Sequence, residues 1–184
     1  HGAELAENRA WIQGHVGTEL TGREETLLMF MREHGCICDV QKMSNMGINL
    51  AVGTDGPSSN NALDMFREMY LISVLQKLKY NDAAAMDANE ILKAATSGSA
   101  KCMGLTDCDC IAEGKLADLM IIDLERPNMQ PINNITKNLV YSGSKDDVKM
   151  TMINGKILYE NGEFVNIDKE EIYFSAQEVT NRLK

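Results

Sequence analysis

Positive charge is scarce in this sequence. Eighteen Lys and Arg residues stand against 27 Asp and Glu, a formal net charge of -9, and no basic patch interrupts the acidic balance. That excludes nucleic acid or an anionic membrane surface as a partner, since both call for clustered Lys and Arg. The expected ligand is small. No apolar run approaches a membrane span, and neither an internal repeat nor a low-complexity linker is found. The five cysteines, Cys36, Cys38, Cys102, Cys108 and Cys110, make an odd count with no secretory signal in front of them. Reduced thiols in a cytoplasmic protein are the economical reading. Cys36-x-Cys38 and Cys108-x-Cys110 lack the Cys-x-x-Cys spacing and a second pair of ligands nearby, so they read as incidental thiols and not as a zinc site. Histidine is scarcer still, with only His1, His15 and His34, and the chain opens on His1 with no initiator methionine. It is read as a possible fragment.

What is present is organised around Ile48-Asn49-Leu50-Ala51-Val52-Gly53-Thr54-Asp55-Gly56-Pro57-Ser58-Ser59-Asn60-Asn61. A mostly apolar run over residues 48–52 has strand length, is cut by Gly53, delivers a carboxylate at Asp55 and breaks into a polar turn. An apolar strand of this kind is most often covered by helices on both faces, and in barrels of parallel strands the strand ends carry the chemistry. Asp55 is therefore the first site candidate. It can equally serve the turn or cap the following helix, both ordinary uses of Asp. Ser58, Ser59, Asn60 and Asn61 carry the same pair of readings, substrate contact or helix cap, with a cap expected for at least one of them.

Around this stretch, 184 residues with 44% hydrophobic content suffice for one sizeable domain or two small ones. Helix-favouring composition marks residues 3–13, and Thr21-x-x-Glu24 is a capping box opening a helix that stops at Gly35. His34, at that helix end, reads as a surface cation favoured by the helix dipole. Beyond the central turn a long helix over residues 63–78 shows an apolar stripe through Met65, Met69, Ile72 and Leu75, expected as core. Asp87-Ala88-Asn89-Glu90 is a second capping box, leading a helix that turns Ile91, Ala94 and Ala95 inward. Composition changes after Gly104. Strand-like runs end near Asp123, cover residues 138–142 and cover residues 148–153, Asn154-Gly155 and Asn161-Gly162 are hairpin signals, and a terminal helix is expected over residues 169–183. Asp118, in Gly-Lys-Leu-Ala-Asp, is expected to fix a turn at the entry to a strand.

Several pieces in order carry a resemblance: Gly53-Thr54-Asp55-Gly56; Ser59-Asn60-Asn61-x-Leu63-Asp64-Met65 with Glu68; Ala94-Ala95-Thr96 with Gly98; Gly114-Lys115-x-Ala117-Asp118-Leu119; Leu139-Val140-Tyr141; and Val148 with Asn154-Gly155-Lys156. From about Met43 onward this resembles the C-terminal half of the amidohydrolase superfamily, in the branch of 5-methylthioadenosine and S-adenosylhomocysteine deaminases and chlorohydrolases. His1-x-Ala3-Glu4-x-x-Glu7 is similar to that family's fifth-strand His-x-x-Glu motif. His15 is a second-ranked rival for the same role.

The resemblance implies an α/β protein: part of a metal-dependent-hydrolase (β/α)8 TIM barrel over residues 1–104, then a small β-sandwich module with a terminal helix over residues 105–184. It implies one divalent ion, zinc first and iron as the alternative, with Asp55 and His1 as ligands. Asp55 and Glu4 would be catalytic, and Ser59 and Asn60 would contact the substrate. An ion of this kind brings its water's pKa from about 16 toward 7. Asp55 would then accept a proton while Glu4 protonates the ring nitrogen and ammonia leaves. The implied reaction is deamination of a purine nucleoside in a cytoplasmic homo-oligomer. The alternatives are a guanine, cytosine or triazine hydrolase, or a non-catalytic truncated barrel. The other zinc deaminase class is excluded because Pro-Cys-x-x-Cys is missing. The family's His-x-His pair and sixth-strand histidine are missing too, and the expectation is that about two strand-helix units are lacking between residues 37 and 40, with more before His1. A half-barrel of this kind is expected to associate through its open strand edges.

Overall fold

The computed structural model describes residues 37–57 and 59–183. His1, Glu4, His15, His34 and Cys36, and the helices expected over residues 3–13 and in the run closed by Gly35, lie outside the described residues. Residues 41–184 form one compact unit. Its first helix is α1 (Val40–Asn45).

Asp64 starts the longest described element bearing on the site, α2 (Met65–Tyr80). Its carboxylate accepts the N–H groups of Phe66 at 3.0 Å and Arg67 at 3.4 Å, donors that the first turn of a helix leaves without intrahelical partners. Glu68 in the first turn and Lys77 and Lys79 in the last complement the helix dipole. Asn81 ends the helix in the left-handed conformation. The buried face differs from the expected stripe. It runs through Phe66, Met69, Ser73 and Gln76, while Met65 and Ile72 are half-buried and Leu75 is exposed. Apolar residues ring α2, so hydropathy does not select a face. Polar anchoring does: Gln76 Oε1 accepts the Gln41 N–H at 3.2 Å, and the Gln41 amide oxygen accepts the Met86 N–H.

The second capping box forms as expected at the start of α3 (Ala88–Lys93). Asp87 accepts the N–H groups of Asn89 at 2.6 Å and Glu90 at 3.2 Å, and Ile91 and Ala94 are buried. A π-helical turn (Ala94–Gly98) and α4 (Ser99–Cys102) continue it. Residues 48–52, expected as a strand, take no regular secondary structure and belong to no ladder. A strand needs a neighbour to exchange hydrogen bonds with, and among the described residues none lies beside it. The π-turn holds it instead. Asn49 Nδ2 donates to Gly98 O at 3.0 Å, and Ser99 Oγ accepts the Val52 N–H at 3.1 Å. The approach is so close that a Cβ on Gly98 would stand 2.3 Å from Leu50 O.

The C-terminal part holds an antiparallel sheet ordered β1-β2-β3-β4, from β1 (Leu119–Ile122), β2 (Val148–Ile153), β3 (Lys156–Glu160) and β4 (Glu163–Phe164). Both expected hairpin turns are present. Asn154-Gly155 and Asn161-Gly162 take positive φ at both positions, at 49° and 74° and at 49° and 94°, the tight-turn geometry that matches strand twist. Asp118 accepts the Asn154 N–H at 2.7 Å, so the turn it fixes is the β2–β3 hairpin. Tyr159 and Phe164 pair across β3 and β4 with ring centroids 5.2 Å apart. This is the one sheet among the described residues, and it is antiparallel.

Residues 138–142, expected as a strand, lie instead in and just after α5 (Ile135–Tyr141). Their Val and Tyr content suggested a strand, but the local caps decide otherwise. Asn134 accepts the Lys137 N–H at 3.0 Å, and Asn138 Nδ2 donates to Met129 O at 2.7 Å. Helix α5 packs on α2 and α3, with Val140 fully buried. The expected terminal helix forms as α6 (Lys169–Arg182), capped by Asp168, with no buried residue. Among the described residues no helix is long and apolar enough to cross a membrane.

Lys115 ties the Cys108-x-Cys110 loop together. Lys115 Nζ lies 2.8 Å from Asp109 and also donates to Thr106 O. That contact holds the Asp109 carboxyl below the usual carboxylate range. Burial pushes the Cys108 thiol up, and a hydrogen bond with the Asp118 carboxylate adds to the rise.

Two outcomes follow from these contacts. Gly98→Ala gains helix propensity but drives a methyl group into Leu50 O. It should destabilise the unit by about 1–3 kcal/mol, read as a lower urea midpoint; an unchanged midpoint would mean that residues 48–52 are not held on the π-turn. Because the thiolate is the reactive form, a raised Cys108 pKa leaves less of it at neutral pH. The rate of Cys108 alkylation by iodoacetamide, followed by mass spectrometry, should rise at higher pH than that of a free cysteine.

Candidate active site at the end of an extended segment

Asp55 stands three residues beyond buried Val52, where the segment held on the π-turn passes into the loop that leads to α2. Its backbone is left-handed, with φ of 59°, a conformation that Asp tolerates better than most L-residues because its short polar side chain can bond locally. The local bonds are present. Asp55 Oδ1 accepts the Gly56 N–H at 2.8 Å, and Oδ2 accepts the Ser59 hydroxyl at 2.7 Å. The N–H groups of Ser59 and Asn60 both donate to Gly56 O, at 3.0 and 2.9 Å, closing the turn. The carboxylate is exposed.

Asn60 uses both ends of its amide. Its Nδ2 donates to Glu68 Oε1 at 2.7 Å, and its Oδ1 accepts the Ala62 N–H at 3.0 Å. The loop is thereby fastened to the first turn of α2. The N-cap of α2 is Asp64, so the cap expected from residues 58–61 is made by a later residue. Asn60 shapes the turn before it. Glu68 had no assigned role in the sequence reading. Its place four residues after Asp64, on the first helical turn, was the signal that it could reach back to the loop.

Of the residues expected at the site, the structure brings together Asp55 and Ser59, and links Asn60 to Glu68. His1 and Glu4 lie outside the described residues, as do all three histidines. Among the described residues no three His, Cys, Asp or Glu side chains cluster as a metal would require. Asp55 nevertheless fits one place in a zinc ligand set: it is an oxygen donor whose orientation is set by two hydrogen bonds, as ligating carboxylates usually are. A cleft of about 280 Å³ lies elsewhere, lined by Ser44, Asn49, Glu90, Lys93 and Lys101 among others. Asp55 does not line it.

The profile of the Amidohydrolase family matches residues 5–158. The chain is 44% identical over 133 residues to a 5-methylthioadenosine/S-adenosylhomocysteine deaminase of Pyrococcus furiosus, covering 72% of this chain and 32% of that protein. Against the enzyme of the same name from Clostridium tetani it is 38% identical over 144 residues, covering 78% of this chain and 34% of the relative. Among solved structures, an adenosine deaminase from Xanthomonas campestris with bound zinc superposes with a TM-score of 0.77 at 35% identity, covering 79% of this chain and 34% of that one. The atrazine chlorohydrolase TrzN from Arthrobacter aurescens TC1, complexed with zinc, gives 0.73 at 25% identity, with 80% and 33% covered. The chain spans about a third of the length of the curated relatives it matches. By both the profile and these relatives, the chain belongs to the amidohydrolase family.

Proposed function

We propose that this chain supplies the Asp55 part of a metal-dependent aminohydrolase that removes the amine from a purine nucleoside of the 5-methylthioadenosine or S-adenosylhomocysteine type. The observation that carries the reading is the Asp55 carboxylate, bonded to Gly56 and Ser59 just beyond the segment held on the π-turn, in a chain whose relatives bear that activity in their names. The architecture proposed is the closing part of a (β/α)8 barrel over residues 1–104. A small β-sandwich module over residues 105–184 includes β1 to β4. Residues 48–52 would be the last strand of that barrel.

Asp55 and His1 would hold one divalent ion, zinc before iron; the zinc-bound relatives support that order. When bound, such an ion supplies hydroxide at neutral pH. Asp55 receives the proton on a carboxylate oxygen, with its orientation held by the Gly56 N–H and the Ser59 hydroxyl. Glu4 delivers a proton to the ring nitrogen, which makes the carbon bearing the amine a better electrophile. The water oxygen would bond to that carbon, the proton held by Asp55 would pass to the amine nitrogen and the new hydroxyl's proton to Glu4, and the C–N bond would break with ammonia leaving. The reduced thiols of Cys102, Cys108 and Cys110 suit a cytoplasmic setting. Apolar side chains left exposed, such as Leu78 at 74% and Phe174 at 67%, support a homo-oligomer.

The test is zinc-dependent ammonia release from 5-methylthioadenosine. Asp55→Asn should lower kcat by about 10²–10⁴-fold, the usual share of a general acid or base. The likeness to TrzN favours a triazine as the second substrate to try. Chloride release from a chlorotriazine with no ammonia from the nucleoside would move the reading to a chlorohydrolase, and no turnover of either would refute it.

A further inference from the structure

We propose that Ser59 is a positioning residue for the Asp55 carboxylate, acting through the 2.7 Å hydrogen bond from its hydroxyl to Oδ2; this rests on the reading that Asp55 holds the metal and moves the proton. A carboxylate held by one oxygen still rotates about its terminal torsion, a broad and soft degree of freedom. Here each oxygen has its own donor, Gly56 N on Oδ1 and Ser59 Oγ on Oδ2. The plane of the group is thereby set.

The serine proton has one other acceptor near it, Gly56 O at 3.1 Å. The carboxylate is closer and charged, and charge-assisted bonds are the stronger. A serine hydroxyl has a single proton to donate. With that proton on Asp55, Ser59 can serve a substrate only as an acceptor, and its donor is spent on the carboxylate. Its own place is fixed from both sides. The Ser59 N–H donates to Gly56 O at 3.0 Å, and the next residue, Asn60, is tied to Glu68 on α2 at 2.7 Å. The carboxylate on the loop is thus coupled to a helix through two adjacent side chains.

The experiment compares the wild-type protein with Ser59→Ala and Ser59→Thr, reading zinc affinity by competition with a chelator and kcat and KM on 5-methylthioadenosine. Loss of the donor in S59A should weaken zinc binding and lower kcat by about 10–100-fold, the usual cost of losing a group that orients a ligand, with KM little changed. S59T keeps the hydroxyl and should restore both. An S59A protein that binds zinc as tightly as the wild type overturns the inference while leaving the proposed function standing. So does one whose KM alone rises, which would make Ser59 a substrate contact. An S59T protein as impaired as S59A would reduce the effect to general loop structure and overturn it as well. A wild-type protein that takes up no zinc sinks the functional reading, and this inference with it.

Discussion

A segment that pairs with no strand must be held by something other than a ladder, and here the holding contact is backbone against backbone. Leu50 O approaches Gly98 so closely that no side chain fits between them. Asn49 and Ser99 flank that approach with one hydrogen bond each, to Gly98 O and from the Val52 N–H. The π-helical turn (Ala94–Gly98) is what presents Gly98 at the right place; insertions of this kind in otherwise α-helical runs are frequent at functional sites. Everything toward Asp55 inherits its position from this contact. If residues 48–52 shifted, the carboxylate three residues beyond Val52 would shift with them.

The loop that follows is held from the other side by α2. Asp64 caps the helix and Glu68 reaches back to Asn60, so two acidic residues on one helical end do different work. One satisfies the helix's own first-turn donors. The other anchors the incoming chain. A functional carboxylate on a loop is only as well placed as the elements at the loop's two ends. In this chain those ends are a glycine contact and a helix N-terminus.

The features legible in the sequence were those whose chemistry is local. Asn-Gly pairs need positive φ at both positions, and few other dipeptides supply it, so both hairpin turns could be read directly. Asp87 and Glu90 satisfy each other's backbone donors within one turn, so that helix start was legible too. What could not be read depended on neighbours distant in the chain. The inward face of α2 is chosen by Gln76 meeting Gln41 and by Phe66 meeting Gly143, and neither meeting leaves a mark in the periodicity of the helix. Helix α5 was mistaken for a strand because β-branched and aromatic residues outweighed Asn134 in the reading, whereas that one cap and the Asn138 bond to Met129 O outweigh them in the fold. At the site, Asp55 was legible as an acid beyond an apolar run. Its two donors were not, because a serine four residues on reaches back only if the turn closes through Gly56 O.

That distinction bears on how the acid works. Had Asp55 been a turn residue alone, its carboxylate would be expected to bond only to the backbone next to it, as the bond to Gly56 N does. The second bond, from a side chain, holds the other oxygen and does little for the turn itself, which the two bonds to Gly56 O already close. It does, however, restrict rotation of the group, and restricted rotation matters only to an acid that must meet something in a fixed direction. The Gly56 N–H on Oδ1 and the Ser59 hydroxyl on Oδ2 thus hold the Asp55 carboxylate at both oxygens.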